Sequence, residues 1–298
     1  MDLEVINKVY NPYKYIIKGN IKVLKCHDKD YVVKKKDDLN KLMDTHQYLK
    51  SRGFVNFVPI IDADRKEYYV YPYIHEDKIP YEQKNNELAK TAAILHAKTT
   101  YFKDVSESTF DNIYSDINNN IDYLNLYYSK LYDDIFYKRY YTPFENLFID
   151  SYSKINNALG FSKSELDIWY QIVSEKKNQR VSLIHNDLKN EHFLKSDDDY
   201  LISFDRSKVD TPVLDLYKFY QNEYDKCNFS EIFKTYLYHY ALSEDELKLF
   251  FVLISIPKEL KLTSNNYDNV KNFYLILNYI NKSEELIRPY YSNNEEEE

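Results

Sequence analysis

Side chains that handle protons and phosphates gather in one short stretch of this chain. His185, Asp187, Lys189 and His192 share a polar turn, and the apolar pairs Leu183-Ile184 and Phe193-Leu194 bracket it. Asp187 can accept a hydroxyl proton while that oxygen attacks a phosphorus atom. Lys189 can steady the charge of the group in flight. His185 is placed to hold the loop backbone rather than to carry protons. His192, five residues after Asp187, stands where a magnesium ligand would be useful, although imidazole is a poor partner for that hard cation. Asp205 follows the next short apolar run, Tyr200 to Phe204, which also contains Ser203 and is expected to complete a hairpin after the polar turn. Far upstream, Lys34 ends another apolar run. A lysine so placed can reach nucleotide phosphates across a cleft. The alternative is an exposed lysine within the run Lys34-Lys35-Lys36.

These residues need elements to position them. Tyr15 to Ile17, Ile21 to Leu24 and Tyr31 to Lys34 are β-prone runs separated by Asn20 and by Asp28-Lys29-Asp30. Asp37-Asp38 can cap a helix to about Ser51, with Leu39, Leu42, Met43, His46 and Leu49 at helical spacing and Gly53 as the stop. Phe54 to Ile61 and Glu67 to Tyr73 are expected to be two more strands. Beyond Pro72 the pattern turns helical: Tyr81 to Thr100, Ser108 to Tyr140, Phe144 to Leu159 ended by Gly160, and a new helix through Val173 that starts at Ser162 to Glu165, a stretch of capping-box form. After the polar turn come Leu214 to Tyr224, Phe229 to Ala241, Glu244 to Ile256 and Val270 to Lys282. Ser243 with Glu246 has capping-box form. His96 is expected to pack in the core. The segment from Tyr71 to Asp77 joins the two halves, either as a plain linker or as backbone for an adenine.

Bulk properties narrow the classes. At 298 residues the chain suits two domains or two lobes. Hydrophobic residues at 44% allow a large core, which disfavours global disorder. A net charge of -8 disfavours nucleic acid as a partner. Two cysteines with no CxxC or zinc spacing point to a reducing, cytoplasmic setting. The acidic start Met1 to Glu4 does not read as a signal peptide, and no apolar run is long enough to cross a membrane. The acidic tail Asn293 to Glu298 is expected to fray. Oligomeric state is not legible.

The stretch from His185 to His192 resembles the catalytic loop of the protein-kinase-like superfamily, His-x-Asp-x-x-x-x-Asn. Ile202 to Ser207, followed by Asp210-Thr211-Pro212-Val213-Leu214-Asp215-Leu216, is more similar to the aminoglycoside phosphotransferase and choline kinase branch, and to its spore-coat kinase-like proteins. The resemblance follows the order of elements over nearly the whole chain, but specific motifs are confined to Lys34 and residues 183 to 216. It implies an α+β, bilobal, protein-kinase-like fold: a small antiparallel sheet lobe over residues 1–73 and a larger helical lobe over 74–298. It implies ATP and Mg2+ as cofactors, and a nucleotide and a small hydroxylated molecule as partners. Asp187 and Lys189 would be catalytic, Lys34 would contact the nucleotide, and Asp215 would brace the loop from below.

The departures fall on the metal. Counting from Asp215 puts the family's metal-binding Asp at Ser203; counting from Asp187 admits Asp205. An offset of two along a strand keeps the side chain on one face, which would let Asp205 approach the ion. His192 takes the place of the usual Asn. The front helix offers no Glu for Lys34: Leu42 is near that slot, and Asp38 and Asp44 are imperfect substitutes. Arg206 is expected to pair with Asp210. Two readings stay open: an ATP-dependent phosphotransferase, and a pseudokinase that binds without chemistry. A helical interaction protein with no cleft would not explain the Lys34 strand.

Overall fold

Alternation builds the front lobe. The computed structural model describes residues 8–19, 21–35, 39–64, 68–106 and 108–291. Strands β1 (Lys14–Lys18), β2 (Ile21–Lys25), β3 (Tyr31–Lys35), β4 (Asp62–Asp64) and β5 (Tyr68–Pro72) form an antiparallel sheet in the order β1-β2-β3-β5-β4. Gly19 takes a φ of 57° where β1 turns into β2, a conformation that costs glycine little. Side chains alternate across the sheet. Leu24, Val33 and Val70 pack on one face with Cys26, closed over by Tyr10, Tyr31 and Tyr68. Val23, Val32, Lys34 and Tyr71 line a cleft on the other.

Helix α1 (Leu39–Ser51) buries Leu42, His46 and Leu49 and leaves Met43 exposed. Gly53 follows it at a φ of 69°. The proposed cap Asp37-Asp38 lies outside the described residues. The strand expected over Phe54 to Ile61 does not form. Only Phe57 bridges, to Leu201, and the strand proper is β4, further on. Pro59 supplies no backbone donor. Phe54, Phe57 and Val58 instead bury their side chains in the main core.

The back lobe is helical: α2 (Tyr81–Thr99), α3 (Ser108–Phe136), α4 (Pro143–Val173), α5 (Val213–Glu223), α6 (Phe229–His239), α7 (Glu244–Ser255) and α8 (Asn266–Ile287). Gly160 does not end a helix; α4 runs straight through it. Ser162 is not a cap either. Its hydroxyl donates to the Ala158 carbonyl within the same helix, 2.8 Å away. Packing of α4 along its length, with Phe148, Ile155, Leu159, Leu166 and Val173 buried, overrides the local weakness of one glycine. The expected capping box at Ser243 and Glu246 is present.

Short strands also occur in this lobe. β6 (Tyr101–Asp104), β7 (Asn178–Ile184) and β10 (Lys208–Asp210) form one sheet in the order β10-β7-β6. β8 (Phe193–Lys195) and β9 (Asp199–Leu201) form the hairpin that the sequence indicates. The lobes share one core. Phe57 lies 6.4 Å from Phe204, ring to ring, and Asn56 ties to the Asp199 and Leu201 backbone. The α+β architecture, a small antiparallel sheet lobe beside a larger helical part, is the one expected. Among the described residues no helix is long and apolar enough to cross a membrane.

Candidate active site

The loop after β7 is held from beneath by one carboxylate. Asp215, in the first turn of α5, is fully buried. Its two oxygens accept from the backbone N–H groups of His185 and Asn186, each at 2.6 Å. His96 Nε2 lies 3.1 Å from the same carboxylate, and His96 Nδ1 lies 2.6 Å from the Tyr236 hydroxyl. His96 is thus a core residue, as its pattern indicates, with a bracing task besides. Asn186 takes a φ of 63°, a conformation asparagine tolerates better than most residues. It is clamped on both sides: Lys218 donates to its carbonyl at 2.9 Å, and its amide donates to the Arg206 carbonyl at 2.9 Å. Asn222 donates to the Leu188 carbonyl, and Asn190 donates to Asn85. Lys218, Asn222 and Asn85 carry no motif. Their roles arise only because α2 and α5 pack against the loop.

His185 reaches across to the hairpin, where Nε2 donates to the Ile202 carbonyl at 2.8 Å. Burial pushes its pKa down, so the ring is neutral and holds backbone, as expected. Its Nδ1 is buried with no hydrogen-bond partner.

Asp187 stands at the lip of this braced loop, partly exposed. Lys189 Nζ is 3.5 Å from its carboxylate and Arg206 Nη1 is 3.4 Å away. The expected Arg206–Asp210 pair is absent. Lys208 takes Asp210 instead, at 2.5 Å, because β10 begins between them and sends Lys208 and Asp210, two residues apart, to one side. His192 Nδ1 lies 2.8 Å from the Asp187 carbonyl, so that nitrogen carries the proton. Burial lowers the His192 pKa to about 4, which keeps the ring neutral near pH 7.

The opposite wall is the sheet. A cleft of about 680 Å³ runs between the lobes, lined by Lys34, Lys189, His192 and Ser203 among others. Lys34 Nζ donates to the Ser203 hydroxyl at 3.0 Å and lies 6.0 Å from the centre of the Tyr71 ring. Sheet and loop therefore meet at one cavity. Charges of both signs line the cleft, and Lys226 lies 3.7 Å from Glu223. Glu76, Glu191 and Glu223 line it near the start of α2, where Glu76 pairs with Lys84 and Glu223 accepts from the Tyr81 hydroxyl. The connecting segment lines the same end through Pro72, Tyr73 and Ile74.

Ser203 and Asp205 do not share a strand face. β9 ends at Leu201, Ser203 turns left-handed at a φ of 68°, and Phe204–Arg206 is a 3-10 turn. The two-residue alternation stops before it reaches them. Asp205 accepts from the Tyr69 hydroxyl at 3.5 Å and is not among the residues lining the cleft. In the front helix Leu42 is buried in the core and Asp44 is exposed; it is His46 that reaches the cleft. Asp38 lies outside the described residues.

These donors do not fit Mg2+. That ion needs near-octahedral oxygen ligands, usually with one or two carboxylates. Here the sequence-indicated positions offer a hydroxyl already bonded to an ammonium, a neutral imidazole, and a carboxylate turned to a tyrosine. Among the described residues no group of three His, Cys, Asp or Glu side chains could hold a metal.

No protein-family model matches the chain, and no curated protein does. Solved structures do. An aminoglycoside phosphotransferase from Alicyclobacillus acidocaldarius subsp. acidocaldarius DSM 446 superposes with a TM-score of 0.68 at 13% identity, over 99% of this chain and 97% of that one. Spectinomycin phosphotransferase APH(9)-Ia, in its AMP-bound complex, gives a TM-score of 0.54 at 14% identity, over 94% and 96%. At such identities the likeness speaks for the fold alone: the chain shares its fold with these phosphotransferase structures.

Proposed function

We propose that this chain is an ATP-dependent phosphotransferase that moves a γ-phosphoryl group to a hydroxyl of a small molecule. The observation that carries this reading is the placement of Asp187. It stands on a loop fixed by the buried Asp215 carboxylate, beside a cleft that Lys34 enters from the facing sheet. Bound ATP supplies the phosphoryl group. Asp187 takes the proton from the attacking hydroxyl. Lys189 and Lys34 face the phosphates and offset their charge. Asp215, Lys218 and Asn222 hold the loop still, so the base does not reorganise as the reaction proceeds.

A second reading is a pseudokinase that binds nucleotide without transfer. It is favoured by Ser203, an uncharged residue bonded to Lys34 where the resemblance implies a metal carboxylate. Assaying ATP-dependent phosphorylation across a panel of small hydroxylated compounds separates the two. Transfer that disappears in Asp187→Ala, with the melting temperature kept, supports the enzyme. Transfer that survives the substitution removes Asp187 as the base. ATP binding with no acceptor phosphorylated favours the second reading.

A further inference from the structure

One carboxylate oxygen in the wall of the cleft is left without a hydrogen bond. Glu223, the last residue of α5, is 1% exposed and lines the cleft. Its Oε2 accepts from the Tyr81 hydroxyl at 2.6 Å and from the Asn85 amide at 3.4 Å. Its Oε1 is buried with no hydrogen-bond partner. Lys226 Nζ lies 3.7 Å from that oxygen, beyond hydrogen-bond range, and donates to the Asn222 carbonyl at 2.6 Å. An acceptor taken out of water and left unpaired is costly, and in a cavity wall a ligand donor can relieve that cost.

The surroundings decide which donor fits. Among the described residues six charged side chains line the cleft: Lys34, Lys189, Lys226, Glu76, Glu191 and Glu223. Lys226 already offsets part of the Glu223 charge, so a further ammonium gains little there. A phosphate would meet the carboxylates of Glu191 and Glu223. A hydroxyl donates without bringing charge. Position agrees with this choice. Tyr81, which holds Oε2, begins α2 shortly after the segment Tyr71 to Asp77 that joins the lobes. Asn85, the other partner, accepts from Asn190 in the loop that carries Asp187. Glu223 is thus tied to the joining segment on one side and to the loop on the other. Between them Val23, Val32, Leu194 and Ile202 give the cleft apolar surface for a flat base. We propose that Glu223 Oε1 accepts a hydrogen bond from a ribose 2′- or 3′-hydroxyl of the bound nucleotide, which makes Glu223 a determinant of specificity for the sugar. The proposal rests on the nucleotide reading above and deepens it. Lys226 is half-exposed, and such side chains change rotamer quickly, so its end swings aside to admit the hydroxyl.

The test is calorimetric titration of the intact chain with ATP, 2′-deoxy-ATP and 3′-deoxy-ATP in one buffer containing Mg2+. At least one deoxy analogue should bind about tenfold more weakly than ATP. Two analogues that both bind within about threefold of ATP overturn the proposal and leave the nucleotide reading standing. Absence of binding by all three overturns the nucleotide reading itself. Glu223→Met, with its melting temperature checked first, completes a cycle. It should weaken ATP about tenfold and leave the sensitive analogue unchanged, because either alteration removes the same hydrogen bond. Undiminished discrimination between ATP and that analogue in Glu223→Met overturns the assignment to Glu223. The analogue series uses the native chain, so it decides the outcome whether or not the variant folds.

Discussion

The two walls of the cleft are held to different standards. The loop wall is over-determined: one buried carboxylate fixes two successive backbone N–H groups, and side chains from two helices take up the loop's carbonyls and its Asn190 amide. The sheet wall meets the hairpin through a lysine on a serine hydroxyl, with a tyrosine reaching an aspartate at the limit of hydrogen bonding. The rigid part is the part that would orient a base. The altered part is the one that would hold a metal. On the proposed reading, orientation of the base and neutralisation of charge would be carried by different walls of the cleft.

If that contrast is right, the loop wall should be the more costly to damage. Asp215→Ala removes the partner of two buried N–H groups and of His96, and should cost about 3–5 kcal/mol of stability. Denaturant unfolding reads this; a loss below about 1 kcal/mol would mean that the loop does not depend on its brace. Asp187→Ala should leave the unfolding midpoint almost unmoved, because its ion pairs with Lys189 and Arg206 are long and involve partly exposed partners. Turnover, where present, should fall about 10²–10⁴-fold. Steady-state kinetics on that variant distinguishes a base from a bystander.

Smaller effects test the electrostatics. Burial lowers the His192 pKa to about 4 from 6.5. Above pH 6.5 the ring is neutral in both folded and unfolded chains and contributes no pH dependence. As pH falls from 6.5 towards 4 the unfolded chain binds the proton first, so stability is lost across that window. The loss should be about 1–2 kcal/mol, discounted for the part of the ring that meets solvent. His192→Asn should flatten the stability profile there, apart from the portion due to His185, whose pKa is also lowered by burial. Arg206 is mostly exposed, so Arg206→Ala should change stability by less than about 1 kcal/mol. A larger loss would mean that the loop is held through Asp187 as well as through Asp215.

Local pattern carried much of the front lobe. Alternating β-prone runs gave β1, β2, β3 and β5, and the apolar brackets around residues 185–192 located the loop and hairpin. It failed where packing outweighs local preference. Phe54, Phe57 and Val58 have strand-like composition but bury their side chains in the shared core. Gly160 has the look of a helix stop, yet α4 buries residues on both sides of it. The β6 and β10 strands are three or four residues each, too short for an alternation to register, and they exist because β7 offers both its edges.

Within the site the division is similar. The order of residues determined that a carboxylate, a lysine and two histidines would share one turn, because the chain's own spacing brings them together. It also settled that Ser203 has no charge. Which of Ser203 and Asp205 meets Lys34 was decided by tertiary structure, through a left-handed turn that breaks the strand just before them. Arg206 found Asp187 in place of Asp210 for the same reason. Contacts between residues far apart in sequence depend on how elements dock, and docking is set by buried area summed over the whole core, which no single stretch of the chain displays.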